Sequence, residues 1–251
     1  MSTLELLERL TSFPTISREP NIHLIEFVRE YLAERSVASE LILAENGTKA
    51  NLFATIGPPD VPGVLLSGHT DVVPVEGQPW STDPFKLCVR QGRAYGRGTA
   101  DMKGFLASVL SFADRASRAR LATPVHLGFS HDEEIGCVGV RSLIERLKGR
   151  HVLPRFGIVG EPTNLRIAVG HKGKIGARAT CCGVEGHSAL APKALNAIHL
   201  ACDFIGELRQ RQDVLEKDGA RDPAYDVPYT TIHAGNLGRH GAQHRAQCLH
   251  R

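Results

Sequence analysis

Four short stretches carry residues able to hold a divalent cation or move a proton. The first is Ser67-Gly-His-Thr-Asp71, in which His69 and Asp71 stand two apart. In extended chain, positions i and i+2 face the same side, so an imidazole and a carboxylate leave the strand together. His69 could then bind a metal through one ring nitrogen while Asp71 fixes the ring or a neighbouring water. The second, Gly96-Arg-Gly-Thr-Ala-Asp-Met-Lys103, sets Asp101 near a helix start, where a carboxylate also serves as an N-cap. Ser130-His-Asp-Glu-Glu134 and Gly160-Glu-Pro-Thr163 complete the set, and they read equally as an acidic surface patch and a turn carboxylate. Gathered in one crevice, such like charges repel unless a cation holds them. One imidazole with carboxylate oxygens and no thiolate suits zinc or another borderline divalent ion in a hydrolytic site.

The elements that must position these residues follow from periodicity. Ser2 and Glu5 form a capping box ahead of Leu6, Leu7 and Leu10, and Asn21 can cap a second helix using Ile25, Val28, Tyr31 and Leu32. Leu41–Ala44 and Asn51–Ile56 read as strands flanking the Asn46-Gly47 turn. The apolar run Val64–Leu66 looks like a buried strand whose carboxyl end delivers His69. A helix over Lys103–Ala119, a strand at Val125–Phe129, a helix through Val140, Leu143, Ile144 and Leu147, and a strand at Phe156–Val159 come next. Strands alternating with helices predict an α/β fold with a mostly parallel central sheet flanked by helices. Farther on, Lys172–Gly183 and Tyr229–Ala234 read as strands around a helix using Leu195, Ile198, Ala201, Cys202 and Ile205.

Composition narrows the class. At 251 residues, 42% hydrophobic and 23% charged, the sequence reads as a soluble globular protein without a membrane span or signal peptide, and so as cytoplasmic. The six cysteines include no C-x-x-C pair, which suits reduced thiols. The net charge of +3 equals the three arginines of residues 236–251, where there is no acid. The remainder is balanced, so no nucleic-acid face is expected.

Together, Ser67-Gly-His-Thr-Asp71, Gly96-Arg-Gly-Thr-Ala-Asp-Met-Lys-Gly104, Asp132-Glu-Glu134 and Gly160-Glu-Pro162 resemble the co-catalytic zinc aminoacylases and exopeptidases over residues 1 to 235. Asp132-Glu-Glu-Ile-Gly-Cys-Val-Gly-Val140 and Glu161-Pro-Thr with His171-Lys-Gly173 look most like the acetylornithine deacetylases of that group. The resemblance implies two divalent ions, zinc or cobalt, bridged by Asp101, with His69 and Glu161 on one and Glu134 on the other. Glu133 would be the general base and Asp71 would clamp His69. In extended backbone, Glu133 and Glu134 would diverge, one toward the attacking water and the other toward metal. Gly186-His-Ser-Ala189 would place His187 on the oxyanion, reaching a partner's site in a homodimer. The substrate implied is a small N-acyl amino acid, N2-acetyl-L-ornithine in arginine biosynthesis. Succinyl-diaminopimelate desuccinylase, aminoacylase or dipeptidase activity, or a non-catalytic metal-binding remnant, stand as alternatives.

The domains expected are a catalytic, zinc-exopeptidase-type domain over 1–168, the first half of a smaller α+β dimerisation domain over 169–235, and an aberrant or disordered tail over 236–251. The family pattern continues past residue 235 to a final histidine ligand, whereas this sequence turns into an Arg-, His-, Gln- and Gly-rich stretch. A shifted reading frame near residue 235 is the expectation, and the encoding DNA in its other two frames tests it. The second metal site would then lack its last ligand, activity would be impaired, and unpaired sheet edges would favour aggregation.

Overall fold

The computed structural model describes residues 1–240 and 243–248 and divides into two compact units, Met1–Ile167 and Ala168–Arg251. In the first, β1 (Ser39–Leu43) and β2 (Ala50–Ile56) form the hairpin expected around Asn46-Gly47. The sheet continues with β3 (Val64–His69), β6 (Val125–Ser130) and β7 (Phe156–Val159), in the order β1-β2-β6-β3-β7. β3 runs parallel to both β6 and β7, while β1 and β2 are joined antiparallel. A small hairpin of β4 (Cys88–Arg90) and β5 (Arg93–Tyr95) stands apart.

Strand alternation decides which helices cover which face. Leu52, Ala54, Ile56, Leu127 and Phe129 are buried in one core with α1 (Thr3–Thr11), α2 (Ile22–Ala33) and α3 (Lys103–Ala116). Each fully buried leucine there contributes about 1.5–3 kcal/mol. The opposite face stacks Phe53 on His126, ring centroids 5.6 Å apart, and packs β6 and β2 against α4 (Val140–Lys148).

The capping box forms as expected, with the Ser2 hydroxyl accepting from the Glu5 amide and the Glu5 carboxylate accepting from the Ser2 amide. Asn21 occupies the N-cap position of α2 but makes no side-chain cap. Its amide instead donates to the Ala50 carbonyl and the Thr70 hydroxyl and accepts the Ala50 amide, each at 2.9 Å. β7 forms where a strand was expected, at the sheet edge, with Phe156, Ile158 and Val159 exposed.

The second unit contains β8 (Ala177–Cys181), a short 3-10 turn (Ser188–Lys193), α5 (Ala197–Asp218), β9 (Asn236–His240) and β10 (Gln243–Cys248). β8 occupies only part of the strand expected at 172–183, and Tyr229–Ala234 is irregular rather than extended in a sheet. The stretch 236–248 read as tail instead contributes β9 and β10, which pair antiparallel in the order β8-β10-β9. Backbone hydrogen bonding explains the difference, since the open edge of β8 satisfies any extended segment laid along it. Residues 241–242 and 249–251 of that expected tail lie outside the described residues.

Candidate metal centre

Three parallel strands end side by side. His69 pairs with Ser130, the last residue of β6, and Ser67 pairs with Val159, the last residue of β7. The segments leaving these strands therefore begin next to one another, the place where open α/β sheets bind ligands. Thr70 donates to the Ser130 carbonyl at 2.8 Å, and Gly160 donates to the Ser67 carbonyl at 3.2 Å. Gly160 is required there because a Cβ would overlap the Phe105 ring of α3.

The sequence-chosen residues converge. The His69 Nε2 lies 2.9 Å from Asp101 Oδ1 and 3.9 Å from both Glu133 Oε2 and Glu161 Oε1. Two groups, His69 with Glu133 and Glu161 and His69 with Asp101 and Glu134, each bring one ligand atom per residue within 4.8 Å of the others. Asp101 does not cap α3, whose N-cap position is Met102. His69 belongs to both groups, yet only Nε2 faces the carboxylates, because Nδ1 lies 2.9 Å from the Asp71 carbonyl oxygen. One cation can take the imidazole.

Asp71 does more than clamp His69. Its carboxylate lies 3.6 Å from Nδ1, beyond hydrogen-bond range, so the backbone carbonyl supplies the orienting contact. The carboxylate accepts the Glu133 amide at 3.0 Å, the Glu134 amide at 3.3 Å and the Ser17 hydroxyl at 2.7 Å. The backbone at Glu133 and Glu134 is a turn rather than extended chain, entered through a left-handed Asp132 with φ 53°. A further partner of Glu133 is Cys137, whose thiol donates to Oε1 at 3.2 Å.

Sequence reading missed the supports. Lys49 Nζ donates to both Asp132 oxygens at 2.6 and 2.7 Å. The segment 13–18 runs along the same edge. Lys103 Nζ donates to the Phe13 carbonyl at 2.7 Å, Thr15 Oγ1 to the Thr70 carbonyl at 2.5 Å, and the Arg18 amide to Asp132 at 2.8 Å. Thr15, Arg18 and Lys49 lie outside every motif, whereas Lys103 closes the Gly96–Lys103 stretch, in which only Asp101 was singled out.

Electrostatics favour a cation among these carboxylates. Burial and then the Asp101 charge push the Glu134 carboxyl up, and burial pushes Glu161 up with only partial relief from His69. For His69, burial lowers the pKa, but the carboxylates of Asp101 and Asp71 outweigh it and raise it to about 11. Burial drags Lys103 down to about 7. Imidazole nitrogen and carboxylate oxygens without thiolate form a donor set that fits a hard or borderline divalent cation. His187 lies in the second unit, exposed, with Nδ1 accepting the Ala189 amide at 3.1 Å.

Fold and cluster thus define an α/β protein with a candidate divalent-metal centre at the carboxyl ends of parallel strands. The chain belongs to peptidase family M20/M25/M40, whose pattern it matches over residues 65–244. It is 36% identical to the acetylornithine deacetylase of Pasteurella multocida across 97% of this chain and 64% of that protein. It is 34% identical to the acetylornithine deacetylase of Proteus mirabilis across 96% of this chain and 63% of that protein. The chain therefore spans just under two thirds of the length of these relatives. An M20 family metallo-carboxypeptidase from Sulfolobus solfataricus shares the fold at a TM-score of 0.66 and 21% identity, over 99% of this chain and 70% of that one. No helix among the described residues is long and apolar enough to cross a membrane.

Proposed function

We propose that this chain is a metal-dependent amidohydrolase acting on N-acylated amino acids, with N2-acetyl-L-ornithine, cleaved to L-ornithine and acetate, as its substrate. The observation that carries this reading is the meeting of His69 with Asp101, Glu133, Glu134 and Glu161 at adjoining strand ends. The names of the Pasteurella and Proteus relatives support acetylornithine over the succinyl, general aminoacyl and dipeptide alternatives. A cytoplasmic homodimer serving arginine biosynthesis belongs to the same proposal.

His69, Asp101, Glu134 and Glu161 would hold zinc or cobalt. When bound, such ions polarise the acyl carbonyl and make a water acidic enough to attack near neutral pH. Glu133 would be the general base beside these residues, accepting a proton from water and returning it to the leaving nitrogen. Its side chain is one-third exposed, at 33%, so water reaches it from solvent. The Asp71 carbonyl keeps the imidazole turned so that Nε2 is the ligand atom. His187 is assigned to the oxyanion.

One observation favours the alternative of a non-catalytic metal-binding remnant. His69 is the sole imidazole in either candidate group among the described residues, which leaves the second ion with carboxylates alone. The 251-residue chain is accordingly expected to bind one ion tightly and to turn over slowly. The test loads the chain with zinc or cobalt, counts ions per chain, and assays N-acetyl, N-succinyl and dipeptide substrates. Residual deacetylation should fall by about 100-fold or more in Glu133→Gln with metal content unchanged. Equal turnover in that variant would remove Glu133 from its role, and two tightly held ions would dismiss the remnant reading.

A further inference from the structure

We infer that Lys49 is a positioning residue for the metal centre: its buried ion pair with Asp132 holds the turn that aims Glu133 and Glu134 at His69. The inference rests on the metal-centre reading above and extends it to a residue outside every motif. Lys49 is 5% exposed and Asp132 is 7% exposed, so both charges are withdrawn from water and each depends on the other. The ammonium contacts both carboxylate oxygens, at 2.6 and 2.7 Å. Asp132 also accepts the Arg18 amide at 2.8 Å and lies 3.2 Å from His131 Nδ1.

The backbone shows what this bracket holds. Asp132 has φ 53°, a left-handed conformation that side chains other than glycine adopt uncommonly. That single residue turns the chain out of β6 so that the next two amides meet the Asp71 carboxylate. The Val138 amide closes back on the Asp132 carbonyl at 3.0 Å, and the Gly139 amide on the His131 carbonyl at 3.1 Å. Lys49 itself stands on pinned backbone, since its carbonyl accepts the Ala44 amide and the next residue, Ala50, is bonded through both backbone groups to Asn21. Glu133, Glu134, Asp101 and Glu161 share one sign around His69, and their mutual repulsion pushes the turn outward. The Lys49–Asp132 pair opposes that push before any ion arrives, so the ligands start near their bound positions.

The test uses the 251-residue chain and cobalt(II), followed by its visible absorption and by competition with a chromophoric chelator. Lys49→Met keeps the aliphatic stem and removes the charge; cobalt affinity should fall about 10-fold or more, the range for losing a support behind metal ligands. The double variant Lys49→Met with Asp132→Asn removes both charges at matched shape, leaves no uncompensated buried ion, and decides the matter if the single variant does not fold. Its affinity should stay low. Val28→Ala, a core change away from the turn, sets the scale for loss of stability alone. Wild-type cobalt affinity in either Lys49 variant, or a loss no larger than that of Val28→Ala, overturns this inference alone. Failure of the unaltered chain to bind cobalt takes down the metal-centre reading and this inference with it.

Discussion

His69 keeps a single ring nitrogen for a ligand, and its proton is what any cation must displace. Burial disfavours the imidazolium, but Asp101 and Asp71 more than offset this and hold the metal-free pKa at about 11. The folded value lies above the unfolded 6.5, so this group's stabilisation is full below pH 6.5 and is lost as pH rises toward 11. Metal binding expels the proton, and affinity should rise with pH up to about 11. Calorimetry in buffers of different ionisation enthalpy should report close to one proton released per ion; none released would mean that His69 is not the ligand. The sequence exposed His69, Asp101, Glu133, Glu134 and Glu161 because their residue types and motifs declare chemistry. It hid the division of labour at Asp71, whose carboxylate serves the Glu133 and Glu134 amides while its carbonyl faces the imidazole. That division depends on a turn sixty residues downstream, which no local pattern encodes.

Helices were legible where one face alternates between core and solvent, as in α1, α3 and α4, and the β1–β2 hairpin from the Asn46-Gly47 turn between two apolar runs. Asn21 shows where local rules mislead. A residue type suited to capping α2 is drawn off to tie the start of β2 to Thr70. The two roles separate by substitution: aspartate caps as well as asparagine but cannot donate to the Ala50 carbonyl or the Thr70 hydroxyl. Asn21→Asp is expected to destabilise the chain by about 1–3 kcal/mol, the range for an unsatisfied buried polar group, measured by urea denaturation. An unchanged midpoint would restore the capping role. In the second unit the periodicity found α5, while β8 came out shorter than expected and 229–234 formed no strand. Short apolar runs specify an extended segment only once a neighbouring edge accepts them.

At the scale of the molecule, an apolar edge is left open. Among the described residues β7 pairs only with β3, and Phe156, Ile158 and Val159 are 53%, 47% and 61% exposed at that edge. Such an edge templates pairing with another chain. The 251-residue chain is expected to self-associate as its concentration rises, and Ile158→Lys to suppress this in light scattering. Equal scattering from both proteins would place the association elsewhere.

Phe13, Thr15, Ser17 and Arg18 reach, in turn, Lys103, Thr70, Asp71 and Asp132. Four residues near the start of the chain thus act as a buckle across segments that are also tied by the Asp71 carboxylate and by Lys49. Shortening the protein from its amino end, or engineering a protease site into that stretch, would remove one set of ties between the loops while leaving every candidate ligand in the sequence. A cut far from the chemistry in sequence would be felt first as lost grip on the ion.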